Sequence, residues 1–264
     1  MEYNIIRMNN IIAYRPTERF TDVVEDYDKY RPRYPAFILE ALEKNYKITN
    51  NYVIADVGSG TGIFSRLFVE KNYMVYGIEP NDRMREKSEQ EFALFPHFKA
   101  IKGTAENILL ADNSVDIVTV AQAFHWFETE EANNEFYRIL KDNGMIVLVW
   151  NERRNKDNPF MSKYERLLRK FCPDYNETNH KKFTYENIKQ IFKGHSIDLY
   201  MIDNIQEMDL NAFIGRVKSC SYCISNENKN YNPFMKKLND LFNTYQNQSI
   251  VSFDYNTIMY VILK

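Results

Sequence analysis

The chain has 264 residues, 44% of them apolar, enough for one large α/β core with additions. A formal net charge of −2 and a pI near 6.2 supply no long-range attraction to phosphate backbones, so nucleic acid is not an expected partner and a small molecule is. No apolar run approaches the roughly 20 residues that cross a bilayer, and residues 1–10 lack the basic-then-apolar order of a signal peptide, so the chain reads as cytoplasmic with no membrane partner.

In chain order, residues 1–48 are expected to cover the edge of a sheet. They hold Tyr30-Arg-Pro-Arg-Tyr-Pro35 followed by an apolar helix over 36–42. Tyr14-Arg-Pro16 echoes Tyr30-Arg-Pro32, one recurrence too short for a repeat architecture. Residues 52–57 are a β-branched strand stopped by Gly58-Ser-Gly-Thr-Gly62, and helical spacing follows over 63–71. A second strand over 73–78 ends at Glu79-Pro-Asn81, before an amphipathic helix over 84–95. Strands over 98–102, 115–120 and 145–150, with a helix over 130–141 and a turn at Asp142-Asn-Gly144, continue the alternation. Residues 152–194 read as a helical insertion forming part of an acceptor pocket. Residues 195–264 supply strands over 196–201 and 257–263 with helical sequence between, completing the sheet and a lid. The expectation is a Rossmann-like α/β fold: seven mainly parallel strands, helices on both faces, and residues 49–151 as the ligand-binding core.

Cys172, Cys220 and Cys223 are too few for a disulfide framework. Cys220-Ser-Tyr-Cys223 has CxxC spacing but no second pair or nearby histidine, so it reads as two small residues on a helix. No acidic or histidine cluster has metal-ligand spacing, and no metal is expected.

Asp56-Val-Gly58-Ser-Gly60-Thr-Gly62 carries the chemistry. A strand-to-helix turn of this kind needs glycine where φ is positive and where a ligand approaches the backbone. Glu79 closes the second strand, where an ionised carboxylate can accept hydrogen bonds from both hydroxyls of a ribose. A dinucleotide turn reads G-x-G-x-x-G, whereas here the third glycine comes one residue early, which favours a methyl donor and leaves an NAD(P)-dependent oxidoreductase as the alternative. A protein that binds the cofactor without catalysis is a further alternative.

Residues 53–62 resemble motif I of the class I S-adenosylmethionine-dependent methyltransferases. Tyr76-Gly-Ile-Glu-Pro80, Gly103-Thr-Ala-Glu106 with Asp112-Asn-Ser-Val-Asp116, Val120-Ala-Gln-Ala-Phe-His-Trp-Phe127, and Glu135 to Gly144 with Val147-Leu-Val-Trp-Asn151 match in order. The likeness is to the methyltransferase type 11 branch, which includes trans-aconitate-methyltransferase-like small-molecule enzymes. It is good over about 20–151 and loose beyond.

The resemblance implies S-adenosylmethionine as cofactor, S-adenosylhomocysteine as product, and an antiparallel last strand. It places Asp56, Gly58, Ser59, Gly60 and Gly62 beside the methionine part, Glu79 on the ribose, and Pro80, Asn81 and Met84 along the adenine. Thr104, Ala105 and Glu106 would meet the adenine edge, although many relatives have aspartate where Thr104 stands. Gln122 and Ala123 would lie beside the methyl group, followed by His125 and Trp126.

Methyl transfer to O, N or C of a small acceptor needs alignment and exclusion of water, and a base only where the acceptor starts protonated. His125 is the candidate base, against the plainer reading of Phe124 to Phe127 as an aromatic wall. His97, His180 and His195 read as surface residues. Tyr27, Tyr30 and Arg31, with Arg33, could clamp the carboxylate of cofactor or substrate, as could Arg153 with Arg154. For Arg31-Pro-Arg33 the other reading is a surface lead into a helix. The fourth strand ends without the Asn/Asp-Pro-Pro-aromatic signature of many amino-methylating enzymes of nucleic acids and proteins.

Overall fold

The computed structural model describes residues 24–127, 129–156, 158–176 and 183–264. Tyr14-Arg-Pro16 and His180 lie outside them. Short β-branched runs form β1 (Val53–Val57), β2 (Met74–Ile78), β3 (Phe98–Ile101) and β4 (Val115–Ala121). With β5 (Leu140–Arg153), β6 (Ile197–Met208) and β7 (Val251–Leu263) they make one seven-stranded sheet in the order β3-β2-β1-β4-β5-β7-β6. Pairing is parallel from β3 through β5, and β7 runs antiparallel to both β5 and β6.

The last three strands are longer than their apolar runs. β7 begins at Val251 because Val251, Phe253 and Tyr255 alternate inward between polar residues, and β6 matches it in register from Ile197 opposite Ile262 to Met208 opposite Val251. The turn expected at Asp142-Asn-Gly144 is instead an irregularity inside β5: Leu140 pairs with Val115 and Met145 with Ile117.

The helices are α1 (Val24–Tyr30), α2 (Phe37–Tyr46), α3 (Arg66–Val69), α4 (Asp82–Glu91), α5 (Glu130–Ile139), α6 (Pro159–Phe171), α7 (Tyr185–Ile191), α8 (Leu210–Lys218) and α9 (Tyr231–Tyr245). Strand periodicity of two divides the core between the sheet's faces. Met145, Val147 and Val149 pack with Ile38, Leu42 and Phe68 of α2 and α3, while Ile146, Leu148 and Trp150 pack with Phe136, Ile139 and Ile188 of α5 and α7.

A third core gathers Phe160, Phe213, Phe234 and Phe253 from α6, α8, α9 and β7. Residues 152–194 are therefore divided: α6 belongs with the C-terminal helices, whereas Phe183, Ile188 and Phe192 pack on the central sheet. The N-terminal segment is divided too. α2 lies on a sheet face, while Tyr30 packs on Gly215 of α8, where a Cβ would meet its ring at 2.2 Å. The backbone oxygens of Tyr30 and Arg33 accept from Gln206 and Asn204 of the edge strand β6, at 2.8 and 2.9 Å. Among the described residues no helix is long and apolar enough to cross a membrane.

Candidate active site

The carboxyl ends of β1, β2, β3 and β4 meet where the strand order reverses, which is where open α/β sheets leave a crevice. At the end of β1 the chain turns with φ of +69° at Gly58 and +56° at Gly60. A Cβ on Gly58 would lie 2.7 Å from that of Ala123. The bend is held by Gly58 and Ser59 N–H donating to the carbonyl of Ile78 at 2.9 and 3.2 Å.

Glu79 is 7% exposed, and both its carboxyl oxygens are oriented by backbone. Oε2 accepts from Gly60 N–H at 2.9 Å and Oε1 from Asn81 N–H at 2.8 Å. Burial raises its pKa, and those two N–H groups with the nearby Arg85 oppose the rise. Asn81 in turn caps α4, its side chain accepting from Met84 N–H at 3.0 Å.

These loops enclose a cavity of about 290 Å³. Gly58, Gly60 and Glu79 line it with Pro80, Asn81 and Met84; Thr104, Ala105 and Glu106 form a further side, and Gln122, Ala123, His125, Trp126 and Phe127 close it after β4. Tyr27 and Arg31 enter from the N-terminal segment, and Ser221 and Tyr222 from the loop after α8. A smaller cavity of about 50 Å³ adjoins and is bordered by Asp56, Ser59, Asn151 and Arg216, sharing Tyr27, Arg31, Gly58 and Gln122 with the first.

Residues 55–148 match the family described as a methyltransferase domain. An uncharacterized methyltransferase-like protein of Schizosaccharomyces pombe is 34% identical over 181 residues, 67% of this chain and 66% of its own length. An uncharacterized methyltransferase of Mycobacterium tuberculosis is 38% identical over 134 residues, 51% of this chain and 52% of its own. The chain belongs to this methyltransferase family. The match covers between about half and two thirds of these relatives' lengths. A candidate type II methyltransferase from Anaeromyxobacter dehalogenans superposes with a TM-score of 0.67 at 16% identity, covering 89% of this chain and 97% of that one, and shares the fold. The family match favours the methyltransferase reading over the oxidoreductase alternative.

In this methyltransferase-family chain the side chains of several residues singled out from the sequence are engaged by neighbours. Asp56 is 1% exposed and turned inward, accepting from Ser65 Oγ at 2.6 Å and Thr119 Oγ1 at 2.8 Å. Burial pushes its carboxyl up to about 6 against those hydrogen bonds. Gly62 lines neither cavity; the ring of Phe92 covers it, 2.4 Å from where a Cβ would sit.

Tyr30 is taken up by Gly215. Arg153 borders neither cavity, since its guanidinium donates to Tyr222 Oη at 3.0 Å and Tyr175 Oη at 2.6 Å and lies 3.5 Å from Glu165. It positions Tyr222. Arg154 pairs with Asp203 and the Arg33 guanidinium with Asp28. His125 lies in the short helix Phe124–Trp126 with its ring 4.6 Å from that of Trp126, while Phe124 is buried among Trp150, Phe183 and Phe192. His195 stacks on Tyr137, its Nδ1 2.9 Å from the carbonyl of Leu263.

No described residue of 152–194 lines the larger cavity; its outer wall comes from Ser221 and Tyr222. Cys220 and Cys223 stand in the turn after α8, not on a helix, with Cys223 N–H donating to Cys220 O at 2.9 Å. Ser221, Tyr222, Asn151 and Arg216 were not singled out from the sequence. For Ser221 and Tyr222 the one local signal is the unabsorbed Cys-Ser-Tyr-Cys string, and Asn151 closes the last of the quoted family matches. Gln122 has a backbone signal that sequence cannot carry: φ is +56° without glycine, a costly conformation that clusters at functional sites.

Proposed function

We propose that the chain binds S-adenosylmethionine in the larger cavity and transfers its methyl group to O, N or C of a small-molecule acceptor, releasing S-adenosylhomocysteine. The observation that carries this is Glu79, whose two oxygens are aimed by the N–H groups of Gly60 and Asn81 beside Gly58, where a Cβ would meet that of Ala123. Each oxygen keeps a lone pair, so the carboxylate can accept from two vicinal hydroxyls without losing its backbone anchors. The residues fit the group on three counts: a diol acceptor, a flat apolar side from Pro80 and Met84, and a polar recess beside the glycine turn.

When bound, the cofactor supplies a methyl carbon already activated by a sulfonium sulfur. The protein's part is positional. Glu79 fixes the ribose, Asn81, Thr104, Ala105 and Glu106 border the adenine, and Gly58, Gly60 and Ser59 admit the methionine part. Gln122 and Ala123 lie where β4 ends, between the cofactor side and the acceptor side. Trp126, Phe127 and Tyr222 exclude water, and Tyr27 with Arg31 offers positive charge over an aromatic face to a carboxylate of cofactor or acceptor, the guanidinium lying 4.5 Å from the Tyr27 ring centre. His125 takes the proton from acceptors that start as hydroxyl, phenol or ammonium, freeing the lone pair that attacks, and is dispensable for a carboxylate. Holding acceptor and methyl carbon in line removes about 7–11 kcal/mol of barrier in favourable cases.

Labelled-methyl transfer from S-adenosylmethionine to a panel of carboxylic acids, phenols and amines tests this reading. The expectation is label in at least one class with wild type and none with Glu79→Ala. Cofactor binding without transfer to any class would leave a non-catalytic binder, and no binding at all would remove the proposal.

A further inference from the structure

The Cys220-Ser-Tyr-Cys223 string has no part in methyl transfer, yet the fold sets it at the wall of the larger cavity. Ser221 and Tyr222, the two residues between the cysteines, line that cavity. Cys223 N–H donates to the carbonyl of Cys220 at 2.9 Å, which closes the string into a β-turn. Such a turn holds its first and fourth Cα within about 7 Å, and a disulfide spans roughly 4.4–6.8 Å between Cα atoms. The turn therefore brings the two cysteines into disulfide range.

The two thiols are in different chemical states. Cys220 is 3% exposed, and Arg216 Nη1 donates to its Sγ at 2.9 Å. Arg216 is buried, a guanidinium does not give up its proton, and among the described residues it has no carboxylate in ion-pair range. A buried cation calls for an anion, and the sulfur it contacts is able to ionise. Burial pushes the Cys220 thiol up, but Arg216, Arg31, a hydrogen bond with Tyr222 and Arg153 outweigh it and bring it down to about 7. Cys223 is partly exposed, and its Sγ donates to the carbonyl of Ile224 at 3.6 Å. Burial and the neighbouring Cys220 and Cys172 push it up to about 12, so it stays a thiol. A thiolate beside a protonated thiol is the arrangement of a sensing and a resolving cysteine.

We propose that Cys220 and Cys223 are a peroxide-sensitive pair, in which the Cys220 thiolate is the nucleophile and Cys223 closes a disulfide across the Ser221-Tyr222 turn. The Cys220 sulfur attacks one oxygen of hydrogen peroxide; an S–O bond forms, the O–O bond breaks, and the other oxygen leaves as hydroxide. The Cys223 sulfur then attacks the sulfenic sulfur, the S–S bond forms, and the hydroxyl leaves with the thiol proton as water. The two sulfurs lose two electrons and the peroxide gains them. Burial of Cys220 sets a size limit: hydrogen peroxide reacts, and oxidised glutathione does not. The bond removes the anion from Arg216 and ties the segment that carries Tyr222. An effect of this on acceptor handling rests on the function proposed above; the thiol chemistry does not.

Mass spectrometry of the full chain treated with hydrogen peroxide, without cofactor, tests the pair. Wild type is expected to yield the tryptic peptide over 219–229 two mass units lighter, closed to alkylation and restored by dithiothreitol. Cys223→Ser is expected to stop at the sulfenic acid, trapped on Cys220 by dimedone, and Cys220→Ser to oxidise about tenfold more slowly or less. Ultraviolet thiolate absorbance should show a step near pH 7 in wild type that Cys220→Ser lacks.

Three free thiols after peroxide, a bond that joins Cys172 to either partner, or equal oxidation rates of Cys220→Ser and wild type would overturn the pair. Should Cys220→Ser fail to fold, Cys223→Ser decides: a dimedone adduct on Cys220 supports the pair and its absence overturns it. Closure by oxidised glutathione as fast as by peroxide would overturn the size limit. Reduced wild type that does not bind S-adenosylhomocysteine would remove the adenosyl reading and leave the thiol result standing.

Discussion

The four loops that end β1 to β4 and the wall that runs from α8 to Tyr222 face one cavity but are built on different principles. The loops are made by neighbours in sequence: Glu79 is aimed by Asn81 and by Gly60, and Gly58 rests on the carbonyl of Ile78. The wall is made by distant partners, Arg31 with Ser219, Arg153 with Tyr222, and Tyr30 with Gly215. A ligand part common to a whole family can be served by short fixed strings, whereas an acceptor is chosen by surfaces that many elements assemble. On the function proposed above, the loops serve the cofactor and the wall serves the choice of acceptor.

The largest effect should come from Glu79→Ala, which removes two charge-assisted hydrogen bonds and should weaken S-adenosylhomocysteine by about a hundredfold or more in calorimetry. A loss of less than threefold would break the comparison at its stronger side. Next is Asp56. Its folded-state pKa of about 6 lies above the usual carboxylate value, so its contribution to stability is fullest below about pH 4 and is lost as pH rises through 6. Asp56→Asn should therefore lack a fall of up to about 3 kcal/mol that wild type shows over that window in denaturant melts. Parallel curves would mean that Asp56 does not hold its proton in the buried turn.

Gly215→Ala places a methyl group against the Tyr30 ring and should cost about 1–3 kcal/mol, read as a lower melting temperature. A change under about 0.5 kcal/mol would show the N-terminal segment to be loosely seated on α8. The mildest variant is Tyr222→Phe, which removes the Arg153 contact at the wall. It should shift acceptor KM several-fold and leave S-adenosylhomocysteine affinity within twofold, in steady-state kinetics and calorimetry respectively. The reverse pattern would move the wall to the cofactor side.

Legibility in the sequence follows the same division. β1 to β4, the glycine bend and the Glu79 position could be read because each is a run of near neighbours with one dominant period or turn. The extents of β6 and β7 could not, because alternating polar residues such as Asp254 and Asn256 mask a strand whose other side is buried. Gly62 has the spacing of a ligand glycine but is spent on Phe92, a contact that a turn string does not encode. Arg153 and Arg216 are equivalent as letters. Only the fold separates the one satisfied by Tyr175, Tyr222 and Glu165 from the one whose partner is Cys220.

The most direct measurement is a crystal structure of the chain with S-adenosylhomocysteine. The nucleoside is expected between the Gly58 bend and Met84, with both ribose hydroxyls donating to the Glu79 carboxylate. A nucleoside seated elsewhere, or one whose ribose leaves Glu79 bonded only to Gly60 and Asn81, would contradict the account.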